Sequence, residues 1–386
     1  MTRLKRFFSA ILIIGSVAFF AGAEKLSSPT YNYTIDFPEG FILTKRNQAG
    51  TNYFFTHNDF EIYTSIKIFN IYEMDNAAQS LEIEVAKKTS NYDIDEFEWR
   101  NGFCAISPFQ GSIQGTPFKG WGISSPLRNE KGFIVITSWC DARNFEKLEN
   151  VILSSLDSLT IDYISNFQSG PVSSYDCPKA KEDVEVSFEL DGHQITTHLD
   201  KNDREASEKL IQREYSVMEL YASRADWQPA WKRYYRMIFR DSYSRLNRAC
   251  FDIYTKLEPE CEDQTDMAQR VLYWTQENDY QREQNDADFT SLPAMLYGEG
   301  SDCDSRSMFL SVFLHHMNLD TVIFISAKHS HAMAGFISDH PGRTFNVNGK
   351  KYLMGETTSK GLTWGKVAQG MENQGDWIPV SFEYGE

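Results

Sequence analysis

Three residue types that can act together on a carbonyl occur in chain order in the second half of the sequence: Cys303, His331 and Glu356. A thiol becomes a useful nucleophile when a base lies within hydrogen-bond reach and a third group fixes that base's ring and tautomer. Cys303 lies in LYGEGSDCDSRSMFLSVFLHHM, residues 296–317. Gly298 and Gly300 permit a tight approach, and Ser301 and Asp302 offer side-chain oxygens that cap a helix start. Met308, Phe309, Val312, Phe313 and Met317 recur at helical spacing, which predicts a helix buried along one face. Cys303 therefore sits at or just before the first turn, where free N–H groups and the positive end of the macrodipole favour a thiolate. The expected effect is to lower a thiol of ordinary pKa about 8.5 by one to several units. The competing readings of Cys303 are a small buried hydrophobe or one half of a disulfide.

The elements that must position these groups follow from pattern. Residues 321–327, 330–337, 343–347 and 351–355 read as strands, with Asn348-Gly349 as a hairpin turn between the last two. A cysteine-bearing helix on an antiparallel sheet makes an α+β domain. Upstream, VEVSFELDGHQITTHL reads as a hairpin turning at Asp191-Gly192. Asn202 with Glu205 predicts a capped helix to about residue 223. A long helix over 228–257 follows, with the stripe Trp231, Tyr234, Tyr235, Ile238, Leu246, Ala249 and Ile253. Its basic residues Lys232, Arg233, Arg236, Arg240, Arg245 and Arg248 read as a solvated face or as partners for the acidic remainder. A third helix spans 266–276. Residues 166–183, NFQSGPVSSYDCPKAKED, have the composition of a linker. Before them, residues 24–165 are strand-rich with two helices, at 76–88 and 144–158. Their only histidine, His57, assembles no catalytic set, so binding or scaffolding is the expectation there.

The run GEGSDCDSRSMFLSVFLHHMNL, then HAMAGF, then YLMGETT, resembles the transglutaminase-like superfamily of papain-like cysteine enzymes over about residues 272–366. The resemblance implies Cys303 as nucleophile, His331 as general base and Glu356 as the orienting carboxylate, where the family more often has Asp. It also places Gln276, Tyr280 and Trp364 at substrate-binding or oxyanion positions. FIVITSWCDARNFEKLENVILSSLDSLTID resembles the ending of the Mog1/PsbP-type α/β sandwich. The expected fold is α+β, an N-terminal antiparallel sandwich at 24–165, a linker at 166–183, and a transglutaminase-like domain with a helical N-terminal part at 184–386. The implied activity is acyl transfer through a thioester on Cys303. Release to water (a peptidase or amidase) is preferred to release to an amine (a protein-glutamine acyl transferase). An inactive binding domain of the same fold is the rival. No cofactor and no metal is expected. A zinc site from Cys303, His329 and His331 is the alternative, because the two histidines alternate on one strand face. Asp302 and Asp304 are expected to cap and to be solvated. His315 and His316 are expected at the surface or as partners of the helix C-terminus.

Whole-chain numbers bound the partners. At a net charge of −16 over 386 residues, phosphate backbones are poor partners, so nucleic acid is not expected. A protein or peptide substrate is, with a cell-envelope partner for the N-terminal domain. Arg3, Lys5 and Arg6, the apolar run 7–20 and Ala21-Gly22-Ala23 predict a signal peptide at 1–23 and export to the periplasm or outside, with membrane anchoring if it is not cleaved. Export permits disulfides, and Cys104–Cys140 and Cys250–Cys261 are the expected pairs.

Overall fold

The computed structural model describes residues 25–128, 131–282 and 287–382. The signal-peptide reading lies outside the described residues. The chain mixes helix (34%) and strand (32%), and its sheets are antiparallel.

The strand-rich first part builds one antiparallel sheet in the order Phe41–Arg46, Asn52–His57, Tyr63–Phe69, Phe133–Asp141, Thr116–Pro126, Gly102–Ile113 and Asn91–Tyr92. Asp95–Trp99 also pairs with the long strand Gly102–Ile113. The central strand is buried along almost its whole length, because each face carries a helix. Phe133, Val135 and Trp139 meet Leu81 and Val85 of the helix Ala77–Ala86 on one face. Ile134, Ile136 and Cys140 meet Leu148, Val151 and Ile152 of the helix Phe145–Asp157 on the other. The two-residue period of the strand divides its side chains between two cores in this way.

The expected disulfides do not form: all six cysteines are free. Register explains the first pair. Cys104 and Cys140 are on strands separated by Thr116–Pro126, and two inter-strand steps amount to about 10 Å, beyond the roughly 7 Å that a disulfide spans. They are also offset along the sheet, since Ala105 faces Ser124 whereas Cys140 faces Lys119. For the second pair, Cys250 is buried inside the helix Asn247–Leu257 and Cys261 lies beyond its end.

The segment 166–183 contains the helix Pro171–Asp176. Ser173 donates to both Asp157 carboxylate oxygens, at 2.8 and 2.7 Å, and Arg213 pairs with the same carboxylate. The hairpin Asp183–Leu190 and His193–Asp200 turns as expected at Asp191 (φ 51°) and Gly192 (φ 75°). The helix Asp203–Glu219 follows, and the predicted Asn202 capping pair is absent there; Asp203 instead accepts from the Asp200 amide. The long helix is two helices, Trp227–Arg245 and Asn247–Leu257, broken at the fully buried Leu246.

The arginines of Trp227–Arg245 do pair, but inside the molecule. Arg233 donates to Glu214, to Ser154 and to the Asp36 carbonyl. Arg240 donates to four carbonyls, those of Ser165, Gln168, Asp157 and Leu159, at 2.7–3.0 Å. Arg236 holds Asp36 through two 3.0 Å bonds. This helix is therefore fastened to the N-terminal sandwich by buried guanidinium groups.

The last sheet has the order Thr344–Val347, Lys350–Gly355, His331–Ile337, Thr321–Ser326 and Ile378–Ser381. The fifth strand carries no pattern of its own and was not anticipated. The helix Cys303–His316 lies on this sheet, with Trp227–Arg245, Asn247–Leu257 and Gln264–Glu277 packed around it. It is buried nearly all round and not along a single stripe, since Ser305, Ser307, Leu310 and Ser311 are also inside.

Candidate active site

Cys303 opens its helix as predicted. Asp302 is the N-cap, its Oδ1 accepting from the Ser305 amide (2.8 Å) and hydroxyl (2.5 Å). The thiol is 1% exposed. It lies 3.8 Å from Asp304 Oδ1, with the Tyr280 side chain and the Ala332 main chain close by. The Ala332 contact puts the sulfur against the first residues of the strand His331–Ile337, beside His331.

His331 and Glu356 meet as anticipated. His331 Nε2 is 3.1 and 3.0 Å from the two Glu356 oxygens. The pairing of Ala334 with Gly355 sets the strands in the register that brings these ends together. Glu356 Oε1 also accepts from the Thr358 amide (2.8 Å) and hydroxyl (2.7 Å). Burial pushes the Glu356 carboxyl up, but the His331 hydrogen bond and charge and the two Thr358 donors outweigh it and hold it below its ordinary range. With a carboxylate accepting at Nε2, the neutral ring presents its lone pair on Nδ1.

The thiol departs from expectation. Burial pushes Cys303 well up, and the Asp304 and Asp302 carboxylates push it further. The Ala332 amide and Arg282 act in the opposite direction without offsetting this. Desolvation and like charge thus override the helix-start effect. Asp304 is half-buried and not freely solvated, and desolvation together with Asp302 holds its carboxyl well up. Burial also raises Asp302, to about 6.

The remaining predicted residues divide. Tyr280 lies beside Cys303, and burial and the Cys303 charge push its phenol up to about 12. Gln276 and Trp364 do not reach it. The Gln276 amide donates to the Glu356 and Leu362 carbonyls and accepts from Gly361, so it ties down the loop carrying Glu356. Trp364 packs edge-on against Phe336 at 4.6 Å and under Gly355, where an added Cβ would lie 2.4 Å from the ring.

The zinc alternative is not assembled. His329 turns to Asp376 at 3.2 Å and stacks on Trp377. Asp302, Cys303 and Asp304 do bring donor atoms within 4.8 Å of one another. A helix N-terminus disfavours a cation, so no metal role follows from this set. His315 and His316 are packed against Tyr243, and burial pushes His316 down to about 4. A cleft of about 460 Å³ lies elsewhere, lined by Cys177, Lys209 and Arg213.

Two contributors lay outside the sequence expectations. Trp377 stands edge-on to His331, 6.1 Å between centroids, and is placed by the unanticipated strand Ile378–Ser381. Arg306 is fully buried one turn after Cys303. Its signal was a charged residue inside an otherwise apolar helix.

No protein-family model matches the chain, and no curated protein matches it. Solved structures do show likeness over the N-terminal region. The PsbP protein of Synechocystis sp. PCC 6803 is 11% identical with a TM-score of 0.31, covering 38% of this chain and 98% of that one. The Ran-binding protein Mog1p of Saccharomyces cerevisiae is 10% identical with a TM-score of 0.28, covering 36% and 94%. A Bacteroides thetaiotaomicron VPI-5482 structure is 10% identical with a TM-score of 0.25, covering 63% and 80%.

Proposed function

We propose that the C-terminal half is a transglutaminase-like cysteine hydrolase that cleaves an amide or peptide bond through a thioester on Cys303. The observation that carries the reading is the His331–Glu356 pair, joined through Nε2 so that Nδ1 keeps the lone pair a general base needs. Nδ1 takes the thiol proton as sulfur attacks the carbonyl, the C–N bond breaks with that proton passing to the leaving amine, and water then releases the acid. The raised thiol makes His331 a base that acts during attack, not one half of a standing ion pair. The Cys303 amide at the helix start and the Tyr280 hydroxyl are the donors nearest the developing oxyanion. Amine in place of water would make the same site an acyl transferase. We further propose that the protein is exported and that the N-terminal sandwich serves a cell-envelope partner.

One observation favours a binding domain with an idle site, namely that Cys303 is covered and its thiol is pushed up. Reaction of the full chain with p-nitrophenyl acetate at neutral pH separates the two readings. The expected result is a burst of p-nitrophenolate stoichiometric with protein, an acetyl group located on Cys303 by mass spectrometry, and loss of the burst in both C303A and H331A. Acetylation spread over Cys177 and Cys261 and indifferent to H331A would refute the enzyme reading.

A further inference from the structure

We infer that Arg306 is the positioning residue of the Cys303 site, one side chain that holds three separate segments of it in register; the inference rests on the acyl-transfer reading. Arg306 is 1% exposed, and its guanidinium spends its donors on the site's backbone. Nε donates to the Ser301 hydroxyl at 3.0 Å, two residues before the nucleophile. Nη1 donates to the Thr357 carbonyl at 3.3 Å, next to Glu356. Nη2 donates to the Asn278 carbonyl at 2.6 Å, and the guanidinium lies 5.3 Å from the Tyr280 ring centroid. The Tyr280 side chain in turn lies beside Cys303, whose charge acts on its phenol.

None of these is a carboxylate. A guanidinium buried on neutral acceptors carries a desolvation cost that a simple packing residue would avoid. Its fork of fixed donors can address three carbonyl or hydroxyl oxygens at once, which a lysine ammonium cannot do in the same geometry. The segments it joins are distant in sequence, and the main-chain bonds of Asp279 and Gln281 to Ser301 bring only two of them together. Arg306 reaches all three, adding the loop behind Glu356 that Gln276 also ties down. The Tyr280 side chain beside Cys303 and the carboxylate at the imidazole are thereby set by a common group.

The test reads the thiol and not turnover. The pH profile of Cys303 alkylation by iodoacetamide is followed by peptide mass spectrometry on the full chain for wild type, R306K, Y280F and the double variant. R306K keeps the charge and loses the fork, and S301A, which removes one acceptor alone, serves if R306K does not fold. The expected result is an upward shift of the profile midpoint of about one unit in R306K and in Y280F, with the double variant no further shifted than either. S301A shifts it the same way by less. An unmoved midpoint in R306K or S301A, or shifts that add in the double variant, overturns the inference. Failure of the acyl-transfer reading shows separately, as a p-nitrophenyl acetate burst indifferent to H331A.

Discussion

Glu356 donates nothing to His331 and accepts from it, and that one-way relation decides what its amide isostere would do. A glutamine can present its carboxamide NH₂ to Nε2 and so favour the tautomer with the proton on Nδ1, facing the sulfur. Comparable tautomer errors lower turnover by about 10⁴. E356Q is therefore expected to lower the burst rate constant by 10²-fold or more, read by stopped-flow, while far-ultraviolet circular dichroism stays unchanged. The placement of Cys303 at a helix start and the meeting of His331 with Glu356 were legible because their motifs are local: a capped helix start and two strand ends. The state of the thiol was not. Its shift comes from burial of the sulfur and from the Asp304 and Asp302 carboxylates, and burial of that kind is a property of the assembled chain. Gln276 and Trp364 sat in plausible places and turned out to brace the Glu356 loop from behind.

Among the elements, the helix Trp227–Arg245 carries the most consequential side chains. Replacing Arg240 by Met would leave four buried carbonyls without their donor. Stripping one partner from a buried charged network costs about 3–5 kcal/mol. R240M is expected to lose that much in urea unfolding, whereas R248M, whose Arg248 side chain is exposed beside Asp252, is expected to change stability by less than about 1 kcal/mol. Periodicity located the helices and most of the strands, and turn chemistry at Asp191-Gly192 fixed a hairpin. Three features escaped it. Leu246 breaks a helix without a proline or glycine to announce the break. Asp200 accepts from the Asn202 amide, the bond that a capping pair would have used. The strand Ile378–Ser381 exists only by pairing with Thr321–Ser326, far away in sequence.

Across the whole molecule, the junction between the sandwich and the helices contains a carboxylate that resists ionisation. Burial and the neighbouring Asp36 push Glu39 up to about 7, against the pull of Arg236 and Arg233. Its main-chain carbonyl accepts from Tyr221 at 2.8 Å, so the residue belongs to both parts of the chain. The folded protein thus keeps a proton that the unfolded chain releases near pH 4.5. Its contribution to stability is complete below that pH and disappears as pH rises through about 7. A shift of this size is worth about 3 kcal/mol. E39Q, which cannot ionise, is expected to match wild type in urea unfolding at pH 4 and to exceed it by about that amount at pH 8. A lower stability of E39Q at pH 8 would mean that ionised Glu39 finds a partner.

The guanidinium fastenings also govern how the two parts can vary through descent. Arg233 and Arg240 answer mainly to main-chain carbonyls, which any residue supplies, and only Ser154 and Glu214 meet them through side chains as well. A sandwich whose chain took another path would leave these buried cations without oxygens. The seam therefore constrains the course of the backbone more than the identity of most of its residues.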